Sequence, residues 1–359
     1  MRKTYGIIMA GGGGTRFWPV SRQKKPKQLL NLSGKDLMIN ETIDRLRRVV
    51  NLEDIFIITN SSQAEEMMEV TQNRILKDHI LVEPSARNTA ACIGYAAMEI
   101  EKKYGDGIMI VAPSDAYIKN VDKYVEVLEQ AVEAVERENK LVTIGIMPTF
   151  PATGYGYIKF EKTENTAVKT VTEFKEKPDE ERAKYYISTG NYVWNSGIFI
   201  WKASTILKKY KKYIPDIYAE LIKIGEAINT ENELEMIRAI YPEIRKISVD
   251  YAIMEPSAME GEVLVIPGEF GWSDVGSWDM MNALRETDSQ GNIAFGDTVM
   301  IDTSNTIVYS SGKLVSVVGV DNLVVVETDD AIMVCKKENA QDVKKIVEKL
   351  EASGRTEFL

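Results

Sequence analysis

The chain reads as an α/β protein: a Rossmann-like, mostly parallel mixed sheet flanked by helices, followed by a small C-terminal all-β region. Three observations predict this. Short apolar runs alternate with amphipathic helical stretches as far as residue 150. Polar, glycine-bearing loops fall where those apolar runs end. From Asn292 the texture changes to brief apolar segments separated by Gly, Asn, Asp or Ser.

Taken in order, Tyr5 to Met9 is the first buried strand. Ile55 to Thr59, Ile80 to Glu83, Ile108 to Ala112 and Leu141 to Ile146 repeat the pattern. The clearest intervening helix is Asn120 to Glu138, which puts Val121, Val125, Leu128, Val132 and Val135 on one stripe. Such alternation implies a helix-flanked parallel sheet with ligands at the carboxyl ends of its strands. The loop after the first strand, Glu83 to Asn88 and Ser114 to Tyr117 all fall at such ends. The section 150–287 mixes strands (Tyr155 to Phe160, Tyr192 to Trp201, Val263 to Pro267) with helices, and is expected to complete the same sheet. Beyond it, apolar segments begin near Thr306, Leu314, Leu323 and Ala331, a spacing of 8 to 9 residues that predicts a compact all-β coil or sheet. A last helix, Asn339 to Glu351, carries Val343, Ile346, Val347 and Leu350 on one face. The expected division is 1–287 and 288–359.

Composition narrows the function. With 44% hydrophobic and 27% charged residues the chain is an ordinary globular one, and 359 residues suffice for about two domains. Its apolar runs are far short of a membrane span and its start has no leader pattern, so the cytoplasm is the expected location. A net charge of −10 argues against nucleic acid or an anionic membrane as partner. Two distant cysteines, Cys92 and Cys335, support neither a disulfide framework nor a zinc site. The one histidine, His79, excludes a histidine metal cluster and is expected on the surface or in a loop.

The most informative stretch runs from Ala10 to Gln28. Four glycines, Gly11, Gly12, Gly13 and Gly14, leave the first strand and are followed by Thr15, Arg16, Phe17, Trp18 and Pro19. Glycines at a strand exit permit positive φ and let backbone N–H groups turn toward an anion. Arg16 adds a fork of donors and Lys27 a point charge, a combination suited to polyphosphate. Neither familiar phosphate motif fits. No Gly-Lys-Ser/Thr follows at P-loop spacing, and Arg16, Trp18 and Pro19 stand where a dinucleotide-binding helix would begin.

Gly11 through Arg16, Trp18-Pro19, Ser21-Arg22 and Pro26-Lys27-Gln28 together resemble the signature of nucleotidyltransferases acting on sugar 1-phosphates, most closely the mannose-1-phosphate guanylyltransferases. Further motifs follow in family order as far as Ser277, and the resemblance implies that the C-terminal β-rich region is a short β-helix-like domain. The resemblance implies that the glycine loop and Arg16 hold the nucleotide phosphates, and that Lys27 meets the developing charge. It also implies that the stretch carrying Glu83, Arg87 and Asn88 surrounds the base, where guanine needs a donor for O6 and acceptors for its N1 and N2 hydrogens.

Asp115, after the strand Ile108 to Ala112, reads either as a turn residue or as a metal ligand partnered by Asp274 of Gly271-Trp272-Ser273-Asp274. The resemblance favours the pair, with Mg2+ as cofactor. Where the family usually has a histidine after this aspartate, the chain has Ala116. On the sugar side the resemblance implies that Gly156 allows close backbone approach, that Glu176 and Asn195 meet sugar hydroxyls, and that Lys177 meets the sugar phosphate. Ser248 to Glu255 matches the guanylyltransferase pattern as a helix shaping this pocket, without a catalytic role.

The implied reaction is GTP plus mannose 1-phosphate giving GDP-mannose and pyrophosphate, with Arg16, Lys27 and Asp115 as catalytic residues. A homodimer is expected, and the C-terminal β region is expected to serve as its surface or as a lid. Two alternatives stand beside this: transfer with another base or sugar, and a non-catalytic subunit that senses GDP-mannose. Retention of Arg16, Lys27, Asp115 and Asp274 argues against the second, and Ala116 is the one feature in its favour.

Overall fold

The computed structural model describes residues 2–163 and 166–359. The first four strands are β1 (Thr4–Met9), β2 (Ile55–Asn60), β3 (Ile80–Glu83) and β4 (Ile108–Pro113). Then come β5 (Tyr117–Ile118), β6 (Leu141–Ile146), β7 (Tyr157–Phe160) and β8 (Lys169–Lys175). β9 (Tyr192–Lys202), β10 (Val263–Gly268) and β11 (Trp272–Ser273) complete this part of the chain. Nine of these form one sheet in the order β3-β2-β1-β4-β9-β6-β10-β8-β7, while β5 and β11 make a separate antiparallel ribbon. β9 runs against both its central neighbours, β4 and β6, and β8 runs against β10 and β7; the remaining strands are parallel to one another. The sheet is therefore mixed, with a mainly parallel frame.

Side-chain alternation along the strands builds a core on each face. From β1, Tyr5 and Ile7 join a core covered by the helices Asn88–Tyr104, Ala203–Tyr213 and Pro215–Ala227. Ile8 and Ala10 join the opposite core, under the helices Met38–Leu46 and Val121–Glu138. The latter begins one residue after its cap: the Asn120 side chain accepts from the Lys123 N–H at 3.1 Å. Among the described residues no helix is long and apolar enough to cross a membrane.

The C-terminal segments wind into a coil. β12 (Ile293–Phe295), β14 (Ile307–Ser310) and β16 (Leu323–Glu327) stack in parallel, and β17 (Ile332–Lys336) closes the sheet antiparallel to β16. β13 (Thr298–Ile301) and β15 (Val315–Val318) stack on a second wall. The first rung, from Ile293 to Ile307, takes 14 residues and the next, from Ile307 to Val324, takes 17, as in the ladder from Asn305 to Asn322, so the 8 to 9 residue spacing of the sequence is half of that turn. Both asparagines sit at positive φ, a conformation Asn tolerates.

A third core belongs to the coil and the front of the first strand's loop together. Phe17, Trp18, Val275 and Trp278 pack with Ile293, Phe295, Val324, Val326 and Val343. The last helix forms in two pieces, a 3-10 segment Lys337–Val343 and an α-helix Lys344–Ala352, rather than one run from Asn339. Ile346, Val347 and Leu350 do pack on this core.

His79 lies in a turn, one of its two expected settings, but is not on the surface. A 3-10 turn, Lys77–His79, folds the ring back onto β2, where it stacks on Phe56 with ring centres 4.0 Å apart and is 7% exposed. Burial lowers its pKa.

Gly145 lies in β6 opposite Asn195 of β9, at a register irregularity. A Cβ there would stand 2.2 Å from Val193 Cγ2 and 2.8 Å from Val193 Cβ, which a β-branched neighbour cannot evade by a rotamer change. Gly145→Ala is expected to lower stability by about 1–3 kcal/mol, read as a fall in the urea midpoint. An unchanged midpoint would refute this packing argument.

Candidate active site

The carboxyl ends of β1 and β4, the bulged part of β9 and the loops 154–156, 176–177 and 271–276 surround a cavity of about 500 Å3, within the usual range for small-molecule sites. Its lining includes Gly14, Thr15, Arg16 and Lys27 on one side, Asp115 and Asp274 on another, and Gly156, Glu176, Lys177 and Asn195 on a third. Ten of the residues singled out from sequence therefore meet in one space.

The glycine loop is held by its carbonyls. Gln28 Nε2 donates to Ala10 O at 2.9 Å and Gly12 O at 3.1 Å, and Ser21 Oγ donates to Gly14 O at 2.8 Å. With the carbonyls pinned inward, the N–H groups of Gly12 and Gly13 have no protein acceptor among the described residues. Gly14 must be glycine: its φ is 59°, and a Cβ would lie 2.4 Å from Lys27 Cβ. The 3-10 turn Thr15–Phe17 then leaves Arg16 exposed and Phe17 buried.

Lys27 is 4% exposed, and its ammonium is saturated by three oxygens. It donates to Asp115 O at 2.8 Å, Asp115 Oδ2 at 3.0 Å and Asp274 O at 2.5 Å. The Asp115 loop is fixed from behind by the buried Arg45, whose guanidinium donates to Ala116 O at 2.9 Å, and by Thr42 Oγ1, which donates to Ser114 O at 3.0 Å. Ala116 thus takes part in the site through its backbone.

Asp274 accepts from the Tyr155 hydroxyl at 2.6 Å. Burial raises its carboxyl above the usual range; the Tyr155 bond and Lys27 oppose the rise, and the charge on Asp115 adds to it. Two carboxylates that repel each other across an open, polar cavity fit a divalent cation whose other ligands come from phosphate and water. No group of three or more candidate metal ligands occurs among the described residues.

On the opposite wall, a Cβ on Gly156 would come within 2.7 Å of Glu176 Oε2 and 3.4 Å of Asn195 Cβ, so glycine is what lets these groups converge. Glu176 pairs with Lys177 at 3.0 Å. Asn195 Nδ2 donates to Asp250 Oδ1 at 2.7 Å. Asp250 also lines the cavity, and burial pushes its carboxyl up to about 6 against the opposing Asn195 bond. Sequence reading gave Asp250 no role and did not single out Tyr155 or Gln28 as side chains. A polar residue inside an apolar helix stretch was the available signal for Asp250. Lys177 and Val275 both adopt positive φ (44° and 42°), strained conformations for side-chain-bearing residues that cluster at this cavity.

Gly11, Gly12, Gly13, Glu83, Arg87 and Asn88 do not line the cavity; they lie at or just beyond the ends of β1 and β3. Glu83 is 6% exposed and accepts from the Tyr241 hydroxyl, while its other oxygen lies 3.2 Å from where a Gly11 Cβ would be. Arg87 Nε donates to Ser85 Oγ at 3.2 Å, and Asn88 is exposed at φ 66°.

Burial raises Glu83 to about 7, partly offset by the Tyr241 bond. The folded state therefore holds this proton more tightly than the unfolded chain, so its ionisation costs stability as pH rises from about 4.5 to about 7. A neutral amide avoids that cost and can still accept from Tyr241. Glu83→Gln should match the parent near pH 5 and be more stable by about 1–3 kcal/mol at pH 8, measured by urea unfolding at both pH values. Equal differences at the two would contradict a buried, raised carboxyl.

Comparison with known proteins agrees with this geometry. A nucleotidyl transferase family model matches residues 5–290, and a MannoseP isomerase/GMP-like beta-helix domain model matches residues 296–350. The mannose-1-phosphate guanylyltransferase of Escherichia coli is 38% identical over 356 residues, covering 98% of this chain and 75% of that protein. The alginate biosynthesis protein AlgA of Pseudomonas aeruginosa is 37% identical over 362 residues, covering 98% and 73%. A crystal structure from Thermus thermophilus, described as a mannose-1-phosphate geranyltransferase, superposes with a TM-score of 0.87 at 31% identity over 97% of this chain and 99% of that one. The chain belongs to the nucleotidyltransferase family and carries that family's C-terminal GMP-like β-helix domain.

Proposed function

We propose that the protein is a mannose-1-phosphate guanylyltransferase, joining GTP and mannose 1-phosphate to give GDP-mannose and pyrophosphate. The observation that carries this is the meeting, in one cavity, of a cationic phosphate loop, a carboxylate pair and a wall of sugar-type hydrogen-bonding groups. The names of the relatives support the choice of base and sugar.

In this reading the glycine loop and Arg16 hold the β- and γ-phosphates, and Glu83, Arg87 and Asn88 border the base. Lys177 orients the sugar phosphate, while Glu176, Asn195 and Asp250 receive sugar hydroxyls. A sugar-phosphate oxygen forms the new bond to the α-phosphorus as the bond to the β-phosphate oxygen breaks in line, and pyrophosphate leaves. The nucleophile is already an anion near neutral pH, so no general base is required, in keeping with a cavity that contains no histidine. Catalysis by this chain then consists of positioning and charge stabilisation by Arg16 and Lys27. Asp115 and Asp274 would hold a divalent cation, which we take to be Mg2+ and which supplies charge neutralisation at the phosphates when bound.

The proposal extends to a cytoplasmic homodimer that binds neither nucleic acid nor membrane, with a catalytic region 1–287 and a coil 288–359. Exposed apolar side chains on the coil, Val299, Ile301, Val318, Ile332 and Val334, support a self-association surface.

Pyrophosphate release across four nucleoside triphosphates, with mannose or glucose 1-phosphate and with or without magnesium, should peak for GTP, mannose 1-phosphate and magnesium. A maximum with another pair would keep the chemistry and reassign the specificity. Asp115→Ala should lower kcat by about 10²-fold or more and also lower the melting temperature, because the buried Lys27 ammonium loses one of its three oxygens; parent-like turnover would reject its role. Asp250→Asn should raise KM for the sugar phosphate while leaving KM for the nucleotide near the parent value, and the reverse pattern would count against a sugar contact.

A further inference from the structure

Lys344 is the one lining residue of the cavity that comes from the far end of the chain. It is exposed, and no hydrogen bond or ion pair holds its ammonium among the described residues. Its neighbour Lys345 is instead paired with Asp342 at 2.7 Å. The backbone that carries Lys344 is firmly seated. Val343, immediately before it, is 2% exposed in the core shared with Phe17 and Trp18. Gln341 Nε2 donates to Ser277 Oγ at 2.6 Å, just beyond the Asp274 loop. The chain returns to the same place twice more: Trp18 Nε1 donates to Phe358 O at 2.8 Å, and Arg22 pairs with Asp330 at 2.6 Å.

These contacts bring the start of the helix Lys344–Ala352 against the turn Thr15–Phe17, the turn that carries Arg16. Lys344 therefore enters on the Arg16 side of the cavity, and the sugar-type groups Glu176, Asn195 and Asp250 belong to other elements. An exposed ammonium that shares the cavity lining with Arg16, on a segment packed against the turn that carries it, is placed to take up anionic charge.

We propose that Lys344 binds the outer phosphates of the nucleoside triphosphate, and hence the pyrophosphate that leaves, so that the β-helix domain contributes a substrate-contacting residue to the active site. The inference rests on the reading of the cavity given under Proposed function and adds a binding residue to it. Lys344 acts on the triphosphate and pyrophosphate, and GDP-mannose, which lacks those outer phosphates as a separate group, is left unaffected.

Calorimetric titration with inorganic pyrophosphate and with GDP-mannose, on the parent, Lys344→Ala, Lys344→Arg and Lys345→Ala, tests this. Lys344→Ala should weaken pyrophosphate about 10-fold, the scale of one charge-assisted contact, and leave GDP-mannose affinity and melting temperature unchanged. Lys344→Arg should restore most of the affinity, and Lys345→Ala should behave as the parent. Parent-like pyrophosphate affinity in Lys344→Ala would overturn the inference alone, as would an equal loss in Lys345→Ala. A parent protein that binds neither pyrophosphate nor GDP-mannose would overturn the reading of the cavity, and the inference with it.

Discussion

The ammonium of Lys27 is the interaction on which the site depends. Taking a cation out of water costs several kcal/mol, and the cost is recovered only if every proton finds an oxygen. Here Asp115 supplies two oxygens and the Asp274 backbone a third. Those partners come from the exit of β4 and from the loop beyond β11, so satisfying one buried lysine fixes the relative position of three segments far apart in sequence. Gly14 completes the arrangement, because only a residue without a Cβ fits against the Lys27 backbone. The glycine loop and the two aspartates are thereby held as one unit.

Strain and support are distributed around this unit. Val275 and Lys177 hold positive φ at the cavity edge, and each is flanked by contacts that compensate. Val275 is fully buried in the core shared with the C-terminal coil, while the Lys177 N–H donates to Tyr155 O at 3.2 Å. Tyr155 in turn donates to Asp274. The C-terminal coil thus packs behind one rim of the cavity, and its hydrophobic contacts help over-determine a backbone conformation that is costly by itself.

Much of the fold was legible because its strands are buried on both faces and read as continuous apolar runs. Ile55 to Thr59, Ile108 to Ala112 and Leu141 to Ile146 are of this kind, and each appears within a residue or two of its expected bounds. The coil's first rungs, β12 and β13, are only three and four residues long and partly exposed, so they carried too weak a period to be noticed. The burial of His79 was missed because it comes from stacking on Phe56, a contact between segments that local pattern does not register. In the site, glycines and charges at strand ends were readable from spacing. The Asn195–Asp250 bond joins residues 55 apart, and Lys344 reaches the cavity only through packing of the coil on Phe17 and Trp18. Such partnerships exist only once the chain is folded.

The bulged stretch of β9 has one more consequence. Asn195 stands opposite Gly145 of β6 on one side, and on the other its N–H donates to Gly156 O at 2.8 Å, while β4 pairs with β9 only from Phe199 to Lys202. The floor of the cavity is therefore tied into the strand pairing, and an insertion at Asn195 would displace contacts on both sides of it. The side walls, by contrast, are loops at 154–156 and 176–177 and the first turn of a helix at Asp250. Changes of length and composition are therefore easier to absorb in those walls than in the floor, where strand pairing sets the backbone.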